Sequence, residues 1–97
     1  MNMHNPPHPG EFIHSTYMEP YSISCRNLAR HLNVAASTLN RILKSQSGIS
    51  PEMALRLSKA LGRTPESWLV MQDNYDLWQA KQQVNLNGVH RLVLGVA

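Results

Sequence analysis

Residues 25–44 read CRNLARHLNVAASTLNRILK. Leu28, Leu32, Val34, Leu39 and Ile42 are the apolar positions, Ala29 is small, and Asn33 stands between two candidate helices, Cys25–Leu32 and roughly Ala36–Ser45. The pairs Leu28/Leu32 and Leu39/Ile42 follow helical periodicity. Two helices crossing at about 90–120° over a 3–4-residue turn must approach closely, so a small residue belongs at the crossing, and Ala29 supplies one. Asn tolerates the left-handed backbone that such a joint needs, where Gly is more usual. This is the spacing of a helix-turn-helix. Plain helical bundles share the apolar pattern, so a second observation has to separate the two.

Charge distribution is that observation. Between Ser24 and Arg63 stand Arg26, Arg30, Arg41, Lys44, Arg56, Lys59 and Arg63 against a single acid, Glu52. The flanks carry Glu11, Glu19, Glu66, Asp73 and Asp76 against Lys81 and Arg91. The overall net charge of +3 conceals this contrast. A basic middle between acidic flanks suits a polyanion, although chance clustering on a solvated face gives the same count. The apolar pattern leaves Ala36, Ser37, Asn40, Arg41 and Lys44 on the outer face of the third helix. Short residues, then an amide, then two cations fit a DNA major groove.

Outward from this core, residues 1–8 are polar and proline-rich and read as a flexible N-terminus. Residues 9–83 read as one domain and 84–97 as a tail. Ile13 and Tyr17, at i,i+4 with Phe12 alongside, predict a two-turn helix from Glu11 to Met18. Tyr21–Ile23 is a linker, and Ser24 is the N-cap of the next helix. Ser50-Pro51-Glu52 combines an N-cap, a proline at the first helical position and an acid in the first turn, and that helix ends at Gly62. Thr64-Pro65-Glu66 repeats the signal for a fifth helix, Pro65 to about Gln82. The tail is apolar at Val84, Leu86, Val89, Leu92, Val93, Leu94 and Val96, interrupted by Asn87-Gly88. It fits a weak hairpin or a loosely ordered extension. The expected class is all-α with five helices.

At 97 residues, a chain buries only about 60–65% of its unfolded surface, which leaves little room for a deep substrate pocket. No nucleophile–base pair or paired carboxylates stand out, so an enzyme is not expected. His4, His8, His14, His31 and His90 lack zinc-site spacing, so neither metal nor cofactor is expected. No apolar run reaches membrane-spanning length, no signal-peptide core opens the chain, and Cys25 alone makes no internal disulfide; these point to a reducing cytoplasm. Trp68, Met71, Tyr75 and Trp78 lie on one stripe of the fifth helix. The stripe either caps the core or forms part of a dimer seam. The candidate seam comprises Tyr75, Trp78, Val89, Leu92 and Leu94.

Three segments also carry a family resemblance. They are His8-Pro9-Gly10-Glu11-Phe12-Ile13 closing on Met18-Glu19-Pro20; Leu28 to Val34 with Ser37 to Leu43; and Thr64-Pro65-Glu66-Ser67-Trp68-Leu69 followed by Met71-Gln72 and Tyr75-Asp76-Leu77-Trp78. In this order they resemble the HigA/VapI-type antitoxins of type II toxin–antitoxin systems, within the Cro/C1-type helix-turn-helix group. The resemblance implies a five-helix, lambda-repressor-like domain that forms a homodimer, represses its own operon and neutralises a HigB/RelE-like, ribosome-dependent mRNA endonuclease. It implies base reading by Ala36, Ser37, Asn40 and Arg41, and phosphate contacts from Ser24, Cys25, Arg26, Thr38 and Lys44. Three features depart from the family pattern. Ala35 and Ala36 stand where polar residues are common, Asn33 replaces the usual Gly, and the apolar tail after residue 83 is not part of the pattern. A stand-alone Cro/C1-type regulator without a toxin is the alternative.

Overall fold

Three helices begin on a hydroxyl. Ser24 Oγ accepts the Asn27 N–H, Ser50 Oγ the Met53 N–H and Thr64 Oγ1 the Ser67 N–H, each at 3.1 Å. Each bond satisfies one of the donors that a helix start leaves without a partner. In the computed structural model, which describes residues 5–95, these caps open α2 (Cys25–Leu32), α4 (Pro51–Leu61) and α5 (Pro65–Gln83). With α1 (Pro9–Ile13) and α3 (Ala36–Leu43) they make an all-α fold, and no strand occurs among the described residues.

The helix ends are closed by backbone geometry. Asn33 takes φ 57° and ψ 47°. The Val34 N–H reaches back to Ala29 O and the Asn33 N–H to Arg30 O, both at 3.1 Å. This is a Schellman closure with Asn in the left-handed position. The end of α3 repeats it with Ser45 at φ 60°. The Gln46 N–H bonds Arg41 O at 2.8 Å and the Ser45 N–H bonds Ile42 O at 3.0 Å. That closure ends α3 at Leu43, short of the expected Ser45.

The first helix also departs from expectation. It starts at Pro9 rather than Glu11 and runs on through a π-helical turn, His14–Met18, where the Glu19 N–H bonds His14 O at 2.9 Å. Ile13 and Met18 are both buried. Five residues apart, they would point to different sides of a regular α-helix; the wider turn brings them onto one side.

The core joins Ile13, Met18, Leu28, Ala29, Leu32, Leu39, Ile42, Ile49, Met53, Ala54, Leu57 and Trp68. Trp68 is fully buried, and its indole N–H donates to Gly62 O at 3.1 Å. Its stripe is therefore mixed: Trp68 belongs to the core, while Met71, Tyr75 and Trp78 are half-buried.

The two ends of the chain behave differently. Pro6 and His8 are buried, so the packed domain begins before residue 9. Beyond α5, residues 84–95 are exposed and form neither helix nor strand. A turn does form, with the Val89 N–H on Leu86 O at 2.9 Å, but its flanks do not pair. Neither Asn87 nor Gly88 takes the positive φ that a tight hairpin turn requires, and turns of the other hand splay the strands they join. The expected N-terminal segment 1–4 and the tail residues 96–97 lie outside the described residues. The radius of gyration is 17.1 Å with extents of 60 × 27 × 25 Å, against about 12–13 Å for a compact chain of this length.

Candidate nucleic-acid interface

Leu39 and Ile42 turn one face of α3 into the core. Ala36, Ser37, Thr38, Asn40, Arg41 and Lys44 are exposed. Ser37 and Arg41 lie four residues apart, as do Ala36, Asn40 and Lys44, so they form two adjacent rows on the outer surface. The two ion pairs among the described residues, His14–Glu19 and Arg56–Glu52, involve none of these residues. Arg41 and Lys44 are thus presented without an acid to neutralise them. Ala35, the N-cap of α3, supplies no side-chain bond; the Thr38 N–H bonds Ala35 O at 3.1 Å, which leaves the Ala36 and Ser37 N–H donors of the first turn uncapped. A helix start of this kind favours anionic groups.

The start of α2 is built differently. Ser24 and Arg26 are exposed. The Ser24 oxygen caps the helix, and its hydroxyl hydrogen is left to donate. Cys25 is half-buried and its thiol turns inward, with Sγ 3.7 Å from Ala36 O. What Cys25 offers a phosphate is its backbone N–H at the first helical position.

Three contacts hold α3 in place. The first is Gly10, where a Cβ would overlap the Ile42 carbonyl oxygen and stand 2.8 Å from Leu43 Cα. Only a residue without a side chain lets α1 approach the end of α3 this closely. The second is Arg56 on α4. Its Nη1 donates to Leu32 O at 2.9 Å and to Asn33 O at 3.2 Å, and its Nη2 pairs with Glu52 at 2.9 Å. It therefore ties down the carbonyls at the turn between α2 and α3. The third is Gln72 on α5, buried, which accepts the Ile49 N–H at 2.8 Å and donates to Asp76 at 2.9 Å. It holds the segment that leaves α3.

His8 joins the same framework. Its Nδ1 accepts the Gly10 N–H at 2.9 Å, and its ring meets Tyr75 edge-on with centroids 4.8 Å apart. Burial lowers its pKa, opposed by the nearby Asp76 carboxylate, a backbone hydrogen bond to Ser47 and Glu11. The Gly10 bond itself requires an unprotonated Nδ1.

Several charge assignments change. Arg56 is engaged by Glu52 and the turn carbonyls, and Arg63 lies over the rings of Phe12 and Trp68 at 5.2 and 5.7 Å. Both counted toward the basic middle, and both are occupied within the domain. Arg63 is itself exposed; Arg26, Arg30, Arg41, Lys44 and Lys59 are the other exposed cations of that segment. Of the candidate seam, Val89, Leu92 and Leu94 are 70%, 76% and 79% exposed. Tyr75 is half-buried against His8 and Trp78 is half-buried. Gly10, His8, Arg56 and Gln72 were not singled out in the sequence as positioning residues. Glycine in a first helical turn, where it is a poor helix former, was the one local sign of them.

Comparison with known proteins follows this geometry. A family model described as "Helix-turn-helix" matches residues 17–69. The Escherichia coli K12 protein described as the uncharacterized HTH-type transcriptional regulator YddM is 36% identical over 93 residues, spanning 96% of this chain and 98% of that protein. Antitoxin GraA superposes with a TM-score of 0.85 at 41% identity over 94% of this chain and 99% of its own, and its complex with its operator superposes at 0.81 over 97% and 98%. The Pseudomonas aeruginosa antitoxin HigA, solved with the higBA promoter, gives 0.79 at 32% identity over 92% of this chain and 99% of its own.

Proposed function

Because this chain belongs to the Cro/C1-type helix-turn-helix family, alongside the HigA- and GraA-type antitoxins, we propose that it is an antitoxin that represses its own operon. It binds operator DNA as a homodimer and neutralises a HigB/RelE-like mRNA endonuclease encoded beside it. The observation that carries the reading is the unneutralised outer face of α3. Two core anchors fix that helix from behind, and an amide and two cations face outward. The operator and promoter complexes of GraA and HigA support placing the same face in a major groove.

In this reading Ala36, Ser37, Asn40 and Arg41 read base edges. Arg41 spans both acceptors of a guanine, Asn40 suits an adenine edge, and Ala36 meets a thymine methyl. The Ser24 hydroxyl, the Cys25 backbone N–H, Arg26, Thr38 and Lys44 hold phosphates and set the register. The dimer seam draws on Trp78, Val89, Leu92 and Leu94, with Tyr75 contributing what His8 leaves uncovered. DNA and an mRNA-cleaving toxin both place the protein in the cytoplasm. No helix among the described residues is long and apolar enough to cross a membrane. Repression and neutralisation require binding only, with no catalytic group.

The test has two arms. The purified protein is titrated against the DNA upstream of its own gene, and it is co-expressed with the neighbouring reading frame. Sequence-specific binding together with co-purification of a small basic partner is the expected result. Specific binding with no partner would support the stand-alone regulator. Absence of specific binding would overturn the repressor assignment.

A further inference from the structure

An open cleft of about 670 Å³ lies between α2 and α4. Leu28 and Leu32, both buried, and Ile23 and Leu61, both half-buried, give it an apolar floor. His31 and Lys59 stand exposed at its rim, and Arg56 is half-buried there. No acidic side chain among the described residues lines it. Clefts of about 300–1,000 Å³ with an apolar lining and a few converging polar groups have the size and make-up of small-molecule sites. Four of the five N–H donors of Arg56 are spent on Glu52 and on the carbonyls of Leu32 and Asn33, which leaves one. Asn27 O can only accept, so His31 Nδ1 donates to it at 2.8 Å and Nε2 is left. Lys59 belongs to neither ion pair of the described residues. The cleft thus offers unmatched positive charge beside an apolar floor.

We propose that this cleft binds a small organic acid, a monocarboxylate with an aliphatic or aromatic body. The carboxylate pairs with Lys59 and takes the remaining N–H of Arg56 in charge-assisted hydrogen bonds, while the body covers the floor. A bare anion such as phosphate would leave the floor wet, and an uncharged apolar molecule would leave Lys59 unmatched. No residue of α3 lines the cleft, nor does any residue assigned above to bases, phosphates or the dimer seam. The site can therefore be filled while the outer face of α3 lies on DNA. Arg56 connects it to the turn between α2 and α3. An acid bound here gives the clamp on that turn a second anchor and stabilises the folded domain by mass action. The inference goes beyond the function proposed above and stands whether or not the chain has a toxin partner.

The experiment titrates the full-length chain with octanoate, held below its micelle-forming concentration, beside octan-1-ol and acetate. Calorimetry should show saturable binding of octanoate. Octan-1-ol, which lacks the charge, and acetate, which lacks the body, should each bind at least about tenfold more weakly. Amide shifts in NMR spectra should concentrate on Asn27, His31, Lys59 and Ala60. Lys59→Gln should raise the octanoate Kd about fivefold. Lys81→Gln, at an exposed lysine of α5 outside the cleft, should leave it unchanged. Ala60 lines the cleft and is exposed, so Ala60→Phe should fill the space and abolish binding, with circular dichroism checking that the helices are kept. Shifts centred on the exposed apolar residues 84–95, or equal octanoate affinity in the parent, Lys59→Gln and Ala60→Phe, would overturn the site. Octan-1-ol binding as tightly as octanoate would overturn the assignment of an acid. Absence of octanoate binding would overturn the proposal, and loss of a co-expressed partner on Ala60→Phe would then give the cleft to a protein segment.

Discussion

At Gly10 a methyl group would overlap the Ile42 carbonyl oxygen and stand 2.7 Å from the Ile42 carbonyl carbon. Both contacts are with backbone, so no rotamer change can relieve them. Alanine normally favours a helix over glycine by about 0.5–1 kcal/mol, but overpacking costs about 1–3 kcal/mol and sometimes more. Gly10→Ala is therefore expected to lower stability by about 1–3 kcal/mol in urea denaturation. A variant as stable as the parent would mean that α1 does not press on the end of α3. Arg41 and Lys44 lie one turn apart on the same exposed surface, yet their substitutions are expected to differ. Arg41→Ala should cost about 1–3 kcal/mol on the operator and relax preference at one base pair per half-site, because a guanidinium can bond two acceptors of guanine at once. Lys44→Ala should weaken all sequences alike, since a phosphate carries no base information. Neither faces the core, so neither should shift the melting temperature much. Binding measured on the operator and on single-base variants decides; equal loss on every sequence for Arg41→Ala would transfer base reading to Asn40.

The elements were legible in the sequence wherever their signals were local. Ser24, Ser50 and Thr64 stand three residues before the N–H they cap, and Pro51 and Pro65 follow their caps directly. Asn33 marked the turn because few side chains tolerate its backbone. What the sequence hid was long-range. Arg56 reaches residues 23 and 24 positions away, and Gln72 bonds a backbone N–H 23 positions away. Nothing in the local pattern separates such an arginine from a solvated one, so both Arg56 and Arg63 read as DNA-facing charge. The π-helical turn was hidden for a related reason, as Ile13 and Tyr17 fit an ordinary helix and Met18 is buried only after the turn widens. His8 joins α1, the Ser47 loop and α5, and this joint is sensitive to pH. Its folded pKa is lowered by burial, whereas in the unfolded chain it lies near 6.5. Below that value the unfolded state takes up the proton first, so stability is complete above about pH 6.5 and is lost as pH falls through the lower folded pKa. The parent should thus lose stability as pH falls below about 6.5. His8→Asn, which keeps a capping oxygen but gives up the contact with Tyr75, should be less stable at pH 7 and show a flatter profile. Parallel profiles for the two proteins would remove His8 from this role.

For the whole molecule, the question is how much of the positive charge reaches DNA. The count over Ser24–Arg63 suggested seven cations, but two have partners inside the domain: Arg56 clamps the turn and Arg63 lies over Phe12 and Trp68. A dimer making about six to eight phosphate contacts should give a plot of log K against log salt with a slope near −5 to −7. The structure makes separate forecasts for individual side chains on that plot. Lys44→Ala should make the slope shallower by about one unit for each subunit, because each lost phosphate contact no longer releases its counterion. Arg56→Ala should leave the slope where it was. Its cost should appear as lost stability of about 1–3 kcal/mol, since the carbonyls of Leu32 and Asn33 lose their donor, with the smaller figure favoured where water can reach them. Operator binding measured at four or more salt concentrations for the parent and both variants separates these outcomes. A parent slope shallower than about −2 would mean that the exposed face of α3 does not meet the DNA backbone. A slope altered by Arg56→Ala as much as by Lys44→Ala would mean that Arg56 leaves Glu52 and the turn to meet a phosphate in the complex.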